Sequence, residues 1–458
     1  MTQARTEPVW IFDLPESTPG VPMLAGYLTR NPNGAGSFVY DHEYAQKGAA
    51  LDRQQLRNLK RQVHIKTDER RGIPGIVADA GPDAWGEKVL EMDLGYRPDP
   101  LEALVHVRDD GVGNLIVGDP NKARHLPSPT SLDEIEAGIQ NRLNGINDPS
   151  ARYQALYLSP DTALGGGKPK ASIILNGDMW IAKFPDRGDP FDLAFQEAAA
   201  MEMMRRIHLP RGMLEEAGSS VTHFDVANTV IHTFSNGKSA LLVKRFDRET
   251  KVHTIKRLGF ASARTVIGML DSEPTASYQD FAQATKSWAP AKEHQNMRVK
   301  IWLRLAYNAL IGNIDDHPRN HALLQSSDMR WDISPAYDVL PKTTPALRVA
   351  LSMTFHTVQG IPGQVSRSGA VSAESLLRAS MDFGIRPEIA KATLLWMAEQ
   401  IQAEWEQVLQ DIEAPQATRD FTSHTLVWIS YIHQQLSEFS IPASWQTTKR
   451  SRSWNWKP

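Results

Sequence analysis

The sequence predicts an α+β protein, with a small N-terminal α+β module followed by a two-lobed body whose second lobe is mainly helical. Three observations predict it. Short apolar runs separated by turn residues fill positions 8–45. From about 150, strand-like segments surround a glycine-rich turn at 165–167. Beyond about 275, helical patterns dominate. No internal repeat is visible, and 458 residues at roughly 100–200 per domain suggest two to four structural units.

Taken in order, Val9–Leu14, Leu24–Thr29 and Ser37–Tyr40 read as strands, with Asn-Pro-Asn-Gly at 31–34 as the turn between the last two. GPDAWGEKVLEMDLGY reads as a helix, with Asp83 at its start and Gly95 at its end. The strand Gly113–Val117 follows the turn at 108–112. A polar stretch then leads to a helix at 132–144. Ala171–Leu175 and Trp180–Phe184 read as strands, and Phe191–Ile207 as a long helix in which Met201, Met203 and Met204 pack. Strands near 321–325 and 331–333 interrupt the helical second lobe.

Composition narrows the chemistry. Hydrophobic residues make up 41% and charged residues 22%, ordinary for a globular chain with a sizeable core. The absence of cysteine excludes disulfides, thiol nucleophiles, cysteine-ligated zinc and iron–sulfur clusters. A net charge of −3 is not that of a dedicated nucleic-acid binder, so any DNA contact would come from a local patch or a partner. The N-terminus has no signal-peptide pattern and no run is apolar enough for a membrane helix; the expectation is a cytoplasmic protein.

Four segments carry chemistry. In DTALGGGKPKASIIL (161–175), Gly165, Gly166 and Gly167 let backbone N–H groups approach anionic oxygens, with Lys168 and Lys170 adding charge; the competing reading is a flexible hairpin turn. In MWIAKFPD (179–186), Lys183 sits in a strand. It either reaches solvent or pairs with nucleotide phosphates, steered by a helical glutamate, of which Glu197 comes first and Glu202 second.

GNIDDHPRNHALL (312–324) packs Asp315, Asp316, His317, Asn320 and His321 into seven residues. Asp315 and Asn320 have the spacing of a catalytic carboxylate and a magnesium-holding amide, and Pro318 makes the segment a loop. A transition-metal site for hydrolysis and a capped helix end with solvated charges are the rival readings. In RWDISPAYDVLP (330–341), Asp338 follows a strand and a Ser-Pro turn, where magnesium takes a carboxylate together with phosphate oxygens; Asp332 competes but lies inside the strand. The order decides among these. A glycine-rich turn, strand lysine, helical glutamate, Asp-x4-Asn and later aspartate are the parts of phosphoryl transfer, whereas a metallohydrolase accounts only for the third segment.

Carried by LGGGKPKA, WIAKFP, LLVKRFDR, NIDDHPRNHALL and ISPAYDVLP in the body, and by GSFVYDHEY, PDAWGEKVL and RDDGVGNLIVGD before it, the sequence resembles the HipA family of serine/threonine kinases over about residues 20–410. The resemblance implies a protein-kinase-like body of the phosphatidylinositol-kinase branch. The implied units are a small N-terminal domain (1–125), an N-lobe (126–250) and a helical C-lobe (251–458). It implies ATP and Mg²⁺ as cofactors. Gly165–Gly167, Lys168 and Lys170 would form the phosphate loop, and Lys183 would hold the α- and β-phosphates. Lys244, Arg245 and Phe246 would lie on the hinge beside adenine, with Asp247 and Arg248 structural. Asp315 would be the base, Asn320 and Asp338 the metal ligands, and His317 part of the nucleotide site.

The implied partners are a small helix-turn-helix antitoxin, operator DNA through it, and a protein substrate with a serine or threonine acceptor, possible targets including an aminoacyl-tRNA synthetase. The chain would act as the toxin of that pair and arrest growth. Where family members carry an autophosphorylated serine, this sequence has Ala163, with Thr162 adjacent and Ser159 upstream, so autoregulation is expected to be weak or relocated, Thr162 being the first candidate.

Two further segments stand out. RQQLRNLKRQVHIKTDERR (53–71) reads as a solvated basic helix face, with DNA-phosphate contact as the alternative. The tail KRSRSWNWKP, with Trp454 and Trp456, reads as a disordered or docked terminus rather than a base-stacking element. The competing functions are a small-molecule phosphotransferase using the same base and metal ligands, and a catalytically weak co-repressor bound to an antitoxin.

Overall fold

The computed structural model of the protein describes residues 3–15, 17–18, 20–107, 110–121, 132–143, 168–186, 189, 192–251, 254–273, 275–341, 348–359 and 365–445. The N-terminal part is an antiparallel five-stranded sheet of β1 (Arg5–Ile11), β2 (Met23–Arg30), β3 (Gly36–Tyr40), β4 (Val63–Ile65) and β5 (Leu115–Val117), in the order β4-β3-β2-β1-β5. β2 and β3 fall where the apolar runs predict them, whereas β1 begins at Arg5 and ends at Ile11, earlier than the expected Val9–Leu14. At the 31–34 turn, Gly34 N donates to Asn31 O at 2.9 Å. Helices α1 (His42–Lys47), α2 (Gly75–Asp79) and α4 (Pro100–His106) pack with this sheet, while α3 (Ala84–Leu94) turns its buried face to the sheet that follows. Asp83 caps α3 by accepting from Gly86 N at 2.8 Å, and Gly95 closes it with φ 74°.

The basic segment 53–71 is not the expected helix. Asp52 accepts from Gln54 N at 2.7 Å and Leu56 N at 3.0 Å, holding the chain in a local turn. Leu51 and Leu56 are buried beside Tyr40, whose hydroxyl donates to Leu56 O and accepts from Leu51 N. Burying this pair is incompatible with a fully solvated helix, and the segment continues into β4 and a short 3₁₀ turn (Arg70–Gly72).

After α5 (Leu132–Leu143) comes a second antiparallel sheet, β6 (Lys170–Leu175), β7 (Asp178–Lys183), β8 (Thr229–Thr233) and β9 (Ser239–Lys244), ordered β6-β7-β9-β8, with α6 (Leu193–Arg206) inserted before β8. This sheet is covered on both faces. Ala182, Ala240 and Leu242 pack with Trp85 and Val89 of α3 and Ile135 and Ile139 of α5. Ile181, Leu241 and Val243 point to the main core with Phe195 and Ala198 of α6. Two buried faces explain why β9 reads SALLVK, nearly continuous in apolar residues rather than alternating.

The remaining chain forms the hairpin β10 (Arg248–Lys251) and β11 (Thr254–Arg257), then the small sheet β12 (Gly259–Ser262), β13 (Ala322–Gln325) and β14 (Trp331–Ile333). A second hairpin pairs β15 (His356–Gln359) with β16 (Val365–Ser368). The helices are α7 (Ala263–Ile267), α8 (Tyr278–Ala284), α9 (His294–Ile311), α10 (Ala373–Ser380), α11 (Pro387–Asp411) and α12 (Gln416–Glu438). The last two turns of α9 are buried throughout, and Trp428 of α12 donates to Ala309 O at 2.9 Å. Among the described residues no helix is long and apolar enough to cross a membrane.

One apolar core runs from Val9 and Phe38 of the first sheet to Trp405 and Ile432 of the last helices. Polar clasps reinforce the join. Asp13 accepts from Arg257 N at 2.8 Å, Asp79 from Ser262 N at 2.7 Å, and Asp247 from Gly113 N at 2.9 Å.

Candidate active site

Lys183 ends β7 and faces the first turns of α6. Its ammonium lies 2.6 Å from Glu197 Oε1 and 2.7 Å from Asp338 Oδ1. Burial opposes its charge, but the two carboxylates outweigh that and hold it well above the usual lysine range. Asp338 is correspondingly pulled below the carboxylate range, because the charge and hydrogen bond of Lys183 overcome the effect of burial. Glu197 is raised: its burial exceeds what Lys183 gives back, and the charge of Asp338 adds to it. The three groups share one proton-rich knot in which Asp338 carries the negative charge most firmly.

The catalytic-type loop is built by the end of α9. Gly312, at φ 71°, caps the helix in the left-handed region and turns the chain out. His317 N donates to Asp315 O at 2.9 Å, Asn320 N to His317 O at 2.8 Å, and Asn320 Nδ2 to Asp315 O at 3.1 Å. The two ends of the Asp-x4-Asn spacing therefore meet. The Asp315 carboxylate is exposed toward the cleft. Its pKa is raised by partial burial and by the charge of Asp338, against the pull of His317.

Asp316 and His321 point the other way. Both are buried, 2.5 Å apart, and the second Asp316 oxygen accepts from the Tyr278 hydroxyl, which in turn accepts from Asn308 Nδ2 at 3.1 Å. With both oxygens of Asp316 committed, the pair braces the loop from behind. Among the described residues no group of three or more histidine, cysteine, aspartate or glutamate side chains is placed to hold a metal. The transition-metal reading of this segment therefore loses the ligands it required.

A cavity of about 310 Å³ brings together Lys168, Lys170, Lys183, Glu197, Asp315, Asn320 and Asp338, within the size range of nucleotide-type ligand pockets. Gly165, Gly166 and Gly167 lie outside the described residues, as do Ser159, Thr162 and Ala163. Lys168 pairs with Asp189 at 2.7 Å. Lys170 lies directly opposite Lys183 across the β6–β7 pairing, yet its ammonium turns to Asp83 of the N-terminal domain at 2.6 Å, fully buried. Its charge is thus engaged by a partner far away in sequence.

The side chains of Lys244, Arg245, Phe246 and His317 do not line this cavity. Lys244 lies three residues along the strand pairing from the level of Lys183, roughly 10 Å away at strand spacing, and bonds Asp178 at 2.6 Å. Arg245 is buried between Asp247 (2.8 Å) and Asp110 (2.5 Å), and Arg248 also bonds Asp247 (2.6 Å). This network ties the RFDR segment to the 110–113 turn, so the Arg245 side chain is a bolt between domains. Phe246 lies tilted against Tyr337, the neighbour of Asp338, with ring centroids 5.3 Å apart. His317 Nδ1 accepts from Arg319 N at 3.3 Å.

Asp338 has φ 57°, a left-handed conformation uncommon for a residue with a side chain. Asp332, its sequence competitor, is exposed and bonds Lys300. Sequence reasoning missed Asn313, which lines the same cavity, is buried, and has an Oδ1 without a partner. Its signal was its place directly after the helix-ending glycine. Asn320 Oδ1 is likewise buried without a partner. An oxygen donor left unsatisfied beside a firmly ionised Asp338 fits a hard divalent cation such as magnesium.

A model of the HipA-like C-terminal domain matches residues 162–405, more than half of the chain. The chain belongs to this family. A Haemophilus influenzae protein described as "Putative kinase" is 23% identical over 241 residues, covering 48% of this chain and 65% of that protein, just under two thirds of its length. Among solved structures, HipA of the Shewanella oneidensis MR-1 toxin–antitoxin system, in complex with HipB and operator DNA, superposes with a TM-score of 0.64 at 16% identity. That match covers 94% of this chain and 97% of the other, so the HipA-like fold includes the N-terminal domain as well as the body. The Helicobacter pylori kinase CtkA is more distant, with a TM-score of 0.36 at 14% identity over 60% of this chain and 94% of that one.

Proposed function

We propose that this HipA-like chain is a magnesium- and ATP-dependent serine/threonine protein kinase, the toxin of a toxin–antitoxin pair. The observation that carries the reading is Lys183 held between Glu197 and Asp338 in the cavity that also contains Asp315 and Asn320. A lysine fixed by a helical glutamate is poised to hold the phosphates of a nucleotide. Asp315, raised in pKa and open to the cleft, is placed to orient an acceptor hydroxyl and take its proton. Asn320 Oδ1 and Asp338 would hold Mg²⁺, which when bound neutralises charge on the transferring phosphoryl group. The Asp316–His321–Tyr278 brace keeps the loop in register with the rest of the site.

We further propose three units, 1–125, 126–250 and 251–458. The Lys244–Phe246 backbone would lie beside adenine, and a glycine-rich loop at 165–167 would cover the phosphates with Lys168. A helix-turn-helix antitoxin, and operator DNA through it, are proposed partners by analogy with the Shewanella complex. The substrate would be a cytoplasmic protein whose phosphorylation arrests growth.

The test incubates purified protein with Mg²⁺ and γ-labelled ATP in a cell lysate, beside Asp315→Asn. Label on a discrete protein band that disappears in the variant is the expected result. Label confined to small molecules would instead make the chain a small-molecule phosphotransferase.

A further inference from the structure

A second cavity, of about 400 Å³, lies between the N-terminal domain and the helical lobe and shares no lining residue with the first. The two stand back to back. Asp83 lines this one while its partner Lys170 lines the other, and Arg319 lines this one while its loop neighbours Asp315 and Asn320 line the other. Residues 318–321 are fixed to the start of α7, with Ala263 N donating to His321 O at 2.7 Å and Arg264 N to Pro318 O at 3.3 Å.

Five arginines line this cavity against four carboxylates. Every carboxylate is already engaged. Asp79 takes Arg70 at 3.1 Å, and Asp83 takes Lys170 at 2.6 Å. Glu87 takes Arg71 at 2.5 Å and Arg97 at 3.2 Å, and Asp271 takes Arg264 at 2.5 Å. Two cationic donors are left over. Arg319 is bonded only through its backbone, so its guanidinium has no hydrogen bond or ion pair among the described residues. The Nε of Arg264 is buried without any partner. Burial, together with repulsion from Arg70 and Arg319, lowers the Arg264 pKa to about 10. Leaving the Arg264 Nε out of water with nothing to bond is costly, Arg319 is exposed with its guanidinium open to a ligand, and the fork of an arginine matches a phosphoryl or carboxylate group.

We propose that this cavity binds a phosphoryl or carboxylate group carried by the acceptor polypeptide, held by Arg319 and Arg264. The assignment to the acceptor rests on the kinase reading above. Arg319 is four residues from Asp315 in a loop whose ends are bonded together, so a short peptide spans both sites: four extended residues reach at most about 14 Å. An acidic or phosphorylated residue within about four positions of the acceptor hydroxyl is therefore the specificity element.

Two measurements test it. Protein loaded with Mg²⁺ and a non-hydrolysable ATP analogue is titrated with O-phosphoserine, inorganic phosphate and serine by calorimetry. Saturable binding of the first two and not of serine is expected, weakened about tenfold or more in Arg319→Gln and in Arg264→Gln. No saturable binding by wild type, or binding retained by both variants, overturns the site. Positional peptide libraries around a central serine are then labelled with Mg-ATP. Wild type is expected to favour aspartate, glutamate or phosphoserine at one nearby offset over asparagine or glutamine, and Arg319→Gln to lose that ratio. Equal labelling overturns the acceptor role. Phosphoserine binding that the variants lose, with no peptide labelled by wild type, overturns the kinase reading and the acceptor role with it, leaving an anion site.

Discussion

Lys170 and Asp83 meet at 2.6 Å across the join between the N-terminal domain and the second sheet, each side chain only 2% exposed. The contact is reinforced by Trp85, whose indole donates to Lys170 O at 3.2 Å. The first strand of the second sheet is thus held by a charge from the N-terminal domain. Asp83→Ala removes the carboxylate bonded to a buried ammonium and is expected to cost about 3–5 kcal/mol. Urea denaturation measures it. The double variant Asp83→Leu, Lys170→Met should recover most of the loss, and an unchanged midpoint in Asp83→Ala would mean that the pair is hydrated.

Lys183→Met removes the cation between two carboxylates. Phosphoryl transfer is expected to fall about 10²-fold or more, with weaker ATP binding. Lys183→Arg should not rescue it, because the planar guanidinium cannot occupy the same point between Glu197 and Asp338. Steady-state transfer rates and nucleotide titrations check this; activity within a few-fold of wild type would remove Lys183 from the site.

Asp315→Asn and Asn320→Ala should separate two roles. The first is expected to lower turnover by about 10²–10⁴-fold while ATP still binds. The second should raise the Mg²⁺ concentration needed for half-maximal rate, because it deletes the unpartnered buried oxygen. A magnesium titration of both variants distinguishes them.

The pH profile carries the signature of Asp315. A base must be deprotonated, and its pKa is raised. Turnover should therefore fall on acidification through a limb lying above the ordinary aspartate value of about 3.9. Asp315→Asn should lose that limb along with most of the rate. A limb at or below the ordinary value would contradict the environment described.

Asp247 is fully buried between Arg245 and Arg248, and their charges hold its pKa well below the carboxylate range despite the burial. A depressed folded-state pKa contributes stability above the unfolded value, near 3.9, that is lost as pH falls toward the folded one. Asp247→Asn should cost about 3–5 kcal/mol at neutral pH. The gap between variant and wild type should narrow as the pH falls below about 4, read from denaturation series at each pH.

Much of this was legible in sequence because it is local. The α3 caps, the strand containing Lys183 and the Asp315–Asn320 loop depend on neighbours a few residues apart. The partners of Lys170 and Arg245 were not legible. Sequence adjacency placed both beside the nucleotide, whereas Lys170 pairs with Asp83, 87 residues away, and Arg245 shares its charge between Asp247 and Asp110, the latter 135 residues away. The 53–71 segment misled for a related reason. Its basic residues suggested a solvated helix, while two leucines and a single aspartate, Asp52, fix a turn that only tertiary burial rewards. For Asn313 the one signal, its place directly after the helix-ending glycine, carries no spacing to a second group.

Four of the carboxylates that close the domain join come from the N-terminal domain. Asp13, Asp79, Asp83 and Asp110 of the N-terminal domain all reach donors or cations on the body. The region that defines the family begins at residue 162, beyond every one of these aspartates. Cut at that boundary, the body would lose the Asp83 carboxylate from Lys170 and the Asp110 carboxylate from Arg245, and apolar surface from the shared core would be laid bare. The leading domain covers apolar surface and charges that the body cannot cover alone, and a body trimmed at that boundary is expected to aggregate.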